Sequence, residues 1–218
     1  MASTSDHSKE HSNRSSIKKP KYHHGDLRRA LIQAALQLIA ERGVEALTLR
    51  EVAQQVGVSR MAPYRHFADK AALLAAVAEE GFRALKAQLL QAAGHLEPVE
   101  RLQAIGVAYV DYAVTHAAHY RVMFGTGRAD PQSFPALFQV AAETFDVLVQ
   151  TLVAGQQNGT LRATEPKQQA QIAWSLVHGL SMLAIDGHLT AVGCGSAAEL
   201  AVEATRSLAE GLRRQDGT

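Results

Sequence analysis

Apolar residues recur every three or four positions along most of this chain, and this spacing limits the fold more than any other feature. The first clear case is Leu27, Leu31, Ala34 and Leu38, which fall on one face of a helix. Residues 196–213 repeat the same period near the other end. No segment alternates apolar and polar residues within a run bounded by Gly or Asn, as a half-buried strand would. The sequence therefore predicts an all-α protein.

The composition indicates the cellular compartment of the protein. Its 218 residues contain one cysteine, which excludes a disulfide within the chain and is typical of a reducing compartment. No apolar run reaches the roughly 20 residues that span a bilayer, and the polar start of the sequence has no signal-peptide core. We therefore expect a cytoplasmic protein with no membrane partner.

The charge is divided unevenly along the chain. Residues 1–75 contain 12 Lys and Arg against 7 Asp and Glu, whereas residues 76–218 contain 10 against 14. Residues 1–24 are polar, with a basic run at residues 18–21, and should form a disordered basic arm. That arm would either lie on phosphates or a minor groove, or only increase solubility, and the sequence leaves both open.

A pair of short helices is predicted between residues 48 and 66. Thr48 and Glu51 have the spacing of a capping box at the start of the first helix. Gly57 suits the left-handed conformation of a tight turn, and Ser59 follows as the cap of a second helix over residues 60–66. Two short helices joined by such a turn are the helix-turn-helix unit of DNA-binding proteins.

The second of these helices carries the groups that DNA recognition requires. Arg60 lies at its start, where a guanidinium reaches guanine or a phosphate, and Arg65 follows one turn later. Pro63 removes a backbone donor near the fourth position, so the first turn should be distorted. Because Met61, Ala62 and Pro63 offer few hydrogen bonds, they would contact thymine methyl groups.

Residues 48–74 read TLREVAQQVGVSRMAPYRHFADKAALL, and a helix ending at Gly43 precedes them. This string resembles the DNA-binding domain of the tetracycline-repressor (TetR/AcrR) family over about 50 residues. The resemblance implies a three-helix N-terminal helix-turn-helix domain, here residues 25–70, and a larger helical domain for ligand binding and dimerisation, here residues 71–218. It also implies a homodimer, paired through the last two helices at about residues 166–187 and 196–213.

The resemblance and the residue chemistry together define the DNA-binding candidates. Family positions that contact DNA match Thr48, Leu49, Arg50, Arg60, Met61, Ala62, Tyr64, His66 and Lys70, and the chemistry of the segment adds Ser59, Pro63 and Arg65. The function implied is a ligand-responsive regulator, a repressor released from a pseudo-palindromic operator by a small molecule.

The C-terminal half contains the sequence Trp174-Ser-Leu-Val-His178-Gly179. With residues 22–27 it resembles one branch of the family, whose effector domain contains a Trp…His-Gly signature. Aromatic and soft apolar side chains at helical spacing could line a pocket for an apolar or aromatic compound, or could form an ordinary core. The ligand candidates are Phe82, Tyr109, Tyr112, His116, Met123, Phe145, Trp174, His178 and Met182.

The sequence lacks the patterns of the common catalytic and cofactor sites. We find no nucleophile elbow, phosphate loop, zinc-protease motif or dinucleotide fingerprint, and no complete metal-ligand set. We therefore expect no catalytic residues, no metal and no cofactor. Two alternatives remain, namely a ligand-binding or interaction protein with this fold that does not bind DNA, and a small helical enzyme.

Overall fold

The computed structural model describes residues 24–125, 130–191, 193 and 195–214. In this part of the chain the elements are α1 His24–Arg42, α2 Leu49–Val56, a 3₁₀ helix Pro63–Arg65, α3 Lys70–Ala93, α4 Pro98–Thr115, α5 Ala117–Phe124, α6 Pro135–Gln157, α7 Pro166–Ile185, α8 His188–Ala191 and α9 Ala197–Leu212. No strand occurs among them, and one isolated bridge joins Leu161 to Arg213. The all-α prediction is confirmed. The predicted arm lies outside the described residues except for His24, the first residue of α1.

The N-terminal helices enclose a core of their own. Leu31 and Ile32 of α1, Val52 of α2 and Val77 of α3 have no solvent exposure, and Phe67 packs beside them. Helix α1 ends where Gly43 takes a φ of 81°, a left-handed conformation that favours glycine. Burial of this apolar face holds α1, α2 and the start of α3 together.

The turn between the two short helices forms as the sequence predicts. The hydroxyl oxygen of Thr48 accepts the backbone N–H of Glu51 at 3.2 Å, and Gly57 ends α2 with a φ of 75°. The Glu51 carboxylate accepts from the Thr48 hydroxyl at 2.8 Å and lies 3.4 Å from the guanidinium of Arg42. This carboxylate therefore joins α1 to α2 instead of capping the Thr48 amide.

The second short helix is shorter than predicted. A 3₁₀ helix covers Pro63–Arg65, with turns on either side, where a helix over residues 60–66 was expected. The N–H of Ala62 donates to Ser59 at 2.9 Å, and that of His66 donates to Pro63 at 2.9 Å, each across three residues. Because Pro63 has no N–H, it cannot donate to the carbonyl of Ser59, and the α-helical pattern cannot start there.

Helix α3 joins the two ends of the molecule. Leu73 and Val77, in its first turns, are buried in the N-terminal core, while Leu85 and Leu89 are buried in the C-terminal core. The helix begins at Lys70, where the predicted domain boundary lies, and its first turns belong to the N-terminal core. That boundary stays a prediction, since the hydrophobic cores do not divide at this residue.

The C-terminal part is a bundle around α4, which packs against α3, α6, α7 and α9. Helix α6 is long and apolar enough, by length and composition alone, to cross a membrane. In the structure it packs against α3, α4 and α7, as the apolar helix of a protein core does. Helix α9 begins at a complete capping box, in which Ser196 and Glu199 each accept from the other's backbone.

Candidate DNA-reading segment and effector cavity

The 3₁₀ segment presents its side chains to solvent. Met61 is 68% exposed and Tyr64 is 50% exposed, and the guanidinium-bearing Arg60 and Arg65 are exposed beside them. Apolar side chains of this size are usually buried, so a large exposed pair on a basic segment points to a binding surface. The segment combines charge for phosphates with apolar groups for base edges.

The predicted DNA-binding residues differ in their access to solvent. The exposed ones are Thr48, Arg50, Ser59, Arg60, Met61, Tyr64 and Arg65, and the half-buried ones are Ala62, His66 and Lys70. The ammonium group of Lys70 donates to the carbonyl of Glu45 at 3.0 Å, which fixes the start of α3 against the preceding loop.

Leu49 and Pro63 are buried, so their side chains face the protein interior, and their predicted part in DNA binding is not supported by exposure. Leu49 belongs to the N-terminal core with 6% exposure, because it begins the inward face of α2. Pro63 packs inward at the start of the 3₁₀ helix. Only the backbone of these two residues is left for a DNA contact.

The C-terminal bundle contains a cavity of about 290 Å³. Residues of α3, α4, α6, α7 and α9 form its walls, together with Phe124 at the end of α5. The lining residues are Phe82, Leu85, Leu89, Leu102, Ile105, Gly106, Tyr109, Phe124, Ala141, Thr144, Phe145, Leu148, Gln171, Ala173, Trp174, Val177, Thr205 and Leu208. Its size is close to the lower end for small-molecule sites, and its lining is apolar as theirs is.

Four of the nine ligand candidates line this cavity, namely Phe82, Tyr109, Phe145 and Trp174. The other five, Tyr112, His116, Met123, His178 and Met182, are not among the residues that line it, and their role in ligand binding stays a prediction.

Each of the five packs elsewhere. The hydroxyl of Tyr112 donates to the carbonyl of Gly81 at 2.9 Å, inside the core, and the ring of His116 stacks on the Tyr112 ring with centroids 4.6 Å apart. Met123 packs closely against Gly81, and Met182 packs against the C-terminal core. Helical spacing predicted that all five side chains face inward, but it does not distinguish a core position from a cavity wall, and His116 at the end of α4 is exposed.

His178 lies behind the cavity wall instead of in it. Its Nδ1 is 2.7 Å from the hydroxyl of Tyr120 and 3.1 Å from that of Tyr109. The two tyrosine hydroxyls are 3.0 Å apart, and the indole N–H of Trp174 donates to the Tyr109 oxygen at 2.9 Å. The Trp and His of the signature are therefore joined through two tyrosines from other helices.

Burial shifts the pKa values in this network towards the neutral forms. Burial raises the pKa of Tyr120 to about 12 and raises that of Tyr109 further. Burial also lowers the pKa of His178 below its usual value of 6.5. The network is therefore uncharged near neutral pH.

Most of the aliphatic residues that line the cavity were not among the ligand candidates predicted from the sequence. Leu85, Leu89, Leu102 and Ile105 read as core residues, and in sequence a core face and a cavity wall have the same spacing. Phe124 was visible as part of an aromatic concentration from residue 109 to residue 124, which was the available signal. Among the described residues, no three His, Cys, Asp or Glu side chains come close enough to hold a metal ion.

Two family models match this chain. The model "Bacterial regulatory proteins, tetR family" matches residues 31–77, and the model "Tetracyclin repressor-like, C-terminal domain" matches residues 102–208. The class C tetracycline repressor protein of Escherichia coli is 48% identical over 52 residues, which are 24% of this chain and 24% of that repressor. This chain is thus matched to about a quarter of that relative's length.

Solved structures extend the similarity to the whole fold. A protein of unknown function from Rhodococcus sp. RHA1 is 32% identical with a TM-score of 0.78, covering 90% of this chain and 100% of that one. AibR, solved in complex with isovaleryl coenzyme A and operator DNA, is 19% identical with a TM-score of 0.65, covering 82% and 96%.

The two family models together account for the three-helix start and for the bundle that contains the cavity. That family consists of transcriptional regulators. The chain therefore belongs to the TetR family of bacterial regulatory proteins.

Proposed function

We propose that this chain is a ligand-responsive transcriptional repressor that works as a cytoplasmic homodimer. Its 3₁₀ segment reads a pseudo-palindromic operator, and a small, largely apolar molecule in the cavity releases that operator. The observation that carries the proposal is the path of α3. Leu73 and Val77 anchor its first turns in the N-terminal core, and Phe82, Leu85 and Leu89 of the same helix line the cavity.

A second element supports the same coupling. Val122 of α5 packs against the N-terminal core and against the apolar side chains by which α3 and α6 contact each other. Phe124, two residues later, lines the cavity. The ring of Phe124 lies edge-on to that of Phe82, with centroids 5.4 Å apart. An occupant that displaces these two rings would therefore act on both helices that hold the N-terminal part.

The energetic requirement is a difference in affinity. A molecule in the cavity lowers operator affinity only if it binds the conformation that does not fit DNA more tightly than the one that does. The ratio of these two ligand affinities limits the decrease in operator affinity. In a dimer, small rotations of α3 change the separation of the two 3₁₀ segments, and adjacent major grooves accept one separation. AibR, which has a similar fold, was solved in complex with isovaleryl coenzyme A and operator DNA, so one protein of this fold binds both a small molecule and DNA.

The outer faces of α7 and α9 support the homodimer. Ile172, Leu176 and Leu183 recur on one face of α7 with exposures of 60%, 38% and 46%, and Val202 of α9 is 54% exposed. Apolar residues at this density on one surface are typical of a subunit interface.

The test is selection of DNA from a random pool with the purified full chain, followed by affinity measurements at several salt concentrations. We expect an inverted repeat and an affinity that falls steeply with salt. Arg60→Ala should weaken binding by about 1–3 kcal/mol, whereas Arg162→Ala, an exposed arginine distant in sequence, should have no effect. No salt-dependent binding to any DNA would support the alternative, a ligand-binding protein without a DNA target.

A further inference from the structure

The cavity offers no counter-charge to an ionised ligand. All of its lining residues are uncharged, and two of their hydroxyls are already used. Thr144 donates to the carbonyl of Val140 at 2.7 Å, and Thr205 donates to that of Ala201 at 2.7 Å. A buried carboxylate or phosphate would lose its hydration here without a compensating positive charge. An occupant of the inner cavity is therefore neutral.

The polar network ends at the cavity wall. Trp174 and Tyr109 both line the cavity, whereas Tyr120 is fully buried behind them. The bonds run from Trp174 Nε1 to Tyr109 Oη at 2.9 Å, then to Tyr120 Oη at 3.0 Å, and from Tyr120 to His178 Nδ1 at 2.7 Å. Tyr109 is thus the hydroxyl of this network that lies nearest the cavity.

The proton positions follow from what each group can donate or accept, once the His178 tautomer is assigned. An indole N–H only donates, so Tyr109 Oη accepts from Trp174. We assign the proton of the neutral His178 ring to Nε2, so that Nδ1 accepts from Tyr120 and the Tyr120 oxygen accepts the Tyr109 proton. Tyr109 has given away its proton and used one lone pair, so one lone pair remains. It presents an acceptor to the cavity and no donor.

We propose that the effector is a neutral, mainly apolar molecule with a hydroxyl or N–H group that donates to Tyr109 Oη. At roughly 30 Å³ for each water-sized group, the cavity holds about ten non-hydrogen atoms. His178 is a positioning residue, because accepting the Tyr120 proton keeps Tyr109 an acceptor. The inference rests on the proposed function only in taking the cavity as the effector site.

The single tryptophan makes this measurable without DNA. Trp174 is the one tryptophan in the sequence and lines the cavity, so its fluorescence reports occupancy. The probes are para-butylphenol, its methyl ether para-butylanisole, and the anion para-butylbenzoate. We expect the phenol to bind about tenfold more tightly than the ether, which cannot donate, and the benzoate to show no binding.

Two variants and a control locate the effect. Tyr109→Phe keeps the ring but removes the acceptor, so the phenol and the ether should bind equally. Tyr112→Phe also removes a buried tyrosine hydroxyl but lies outside the cavity, so the phenol preference should remain.

His178 is tested by the ratio of the two affinities. His178→Leu should reduce the phenol preference towards unity, because Tyr120 can then donate to Tyr109 and turn the Tyr109 proton towards the cavity. His178→Asn, which keeps a hydrogen-bond acceptor, should restore the preference for the phenol over the ether. A merely structural role would lower both affinities together. Equal binding of phenol and ether by the unaltered protein, or binding of neither, overturns the proposal, whereas a failure to bind DNA would overturn only the proposed function.

Discussion

The indole N–H of Trp174 donates to the hydroxyl oxygen of Tyr109 over 2.9 Å, joining α7 to α4 across one wall of the cavity. The two residues are 65 positions apart in sequence. Because the same oxygen also lies 3.0 Å from the Tyr120 hydroxyl, a third helix, α5, is tied into this contact. The cavity wall is therefore held by polar bonds as well as by apolar packing.

The two tyrosines should be energetically coupled. Tyr109→Phe and Tyr120→Phe each leave a buried partner without its hydrogen bond, which costs about 1–3 kcal/mol of unfolding free energy. Since both changes damage one network, the double variant should lose less than the two single losses added together, by about 0.5–3 kcal/mol. Urea denaturation of the four proteins measures this coupling.

The control is the pair Tyr112→Phe and Tyr120→Phe, whose hydroxyl groups do not bond to each other. Tyr112→Phe breaks the bond to the Gly81 carbonyl, outside the network, so its effect should add to that of Tyr120→Phe. Strict additivity of Tyr109→Phe and Tyr120→Phe would show that the two hydroxyls do not form the bond seen here.

The sequence predicts the helices well because helix formation depends on local signals. Gly43 and Gly57 take the left-handed conformations expected of them, and Ser196 forms the complete capping box. The length of the 3₁₀ segment could not be fixed, since Pro63 was expected only to distort the first turn. Whether proline ends a helix or is tolerated depends on tertiary packing, and here its ring is buried.

The cavity was less predictable for a geometric reason. Tyr109 and Tyr112 are three positions apart on α4 and both face inward, yet one lines the cavity and the other bonds to Gly81. Spacing along one helix shows which face is buried but not which neighbour it meets. His178 was expected among the ligand-binding residues, and its hydrogen-bond partners come from α4 and α5.

Stability should fall as the pH is lowered through the range in which histidine titrates. Burial lowers the pKa of His178, and burial together with the neighbouring His116 lowers that of His119 from 6.5. In the unfolded chain both histidines keep the higher, ordinary pKa, so the unfolded state binds protons first as the pH falls below 6.5. The free energy of unfolding therefore decreases as the pH falls from 6.5 to the lower pKa values of the folded state. Urea midpoints between about pH 7.5 and pH 5.5 test this.

His119 allows that pH effect to be assigned. Its Nε2 is buried and has no hydrogen-bond partner among the described residues. His119→Leu should therefore reduce the pH dependence while leaving the fold intact near neutral pH. An unchanged dependence in this variant would exclude His119 as a contributor.

Gly155 marks a close approach between α6 and the segment before α7. A Cβ at this position would lie 2.5 Å from Leu161 Cδ1 and 3.1 Å from Pro98 Cβ. Gly211 of α9 is the matched control, because a Cβ there meets nothing within 4 Å. Both alanine variants gain the same helix propensity, so Gly155→Ala should be less stable than Gly211→Ala by about 1–3 kcal/mol. Equal urea midpoints would contradict the packing described.

Met61 should contribute to DNA binding and not to stability. Its side chain is 68% exposed, so Met61→Ala should change the unfolding free energy by less than about 0.5 kcal/mol. Operator affinity, measured by fluorescence anisotropy with the selected DNA, should fall because an apolar base contact is lost. Leu90→Ala removes a comparably exposed apolar side chain from α3 and should leave that affinity unchanged. A Met61→Ala protein that binds DNA normally would remove this residue from the interface.

The apolar faces of α7 and α9 should hold the dimer. Ile172→Glu and Val202→Glu place a charge where each side chain is more than half exposed, so the monomer fold should tolerate them. In a dimer the same carboxylate would be buried without a partner, which opposes association. Sedimentation should show monomers for both variants and dimers for Leu90→Glu, a similarly exposed position on α3. Because two half-sites must be bound together, the monomeric variants should also lose operator affinity while retaining the fluorescence response of Trp174 to a cavity ligand. Dimers that persist in both variants would place the interface on another surface.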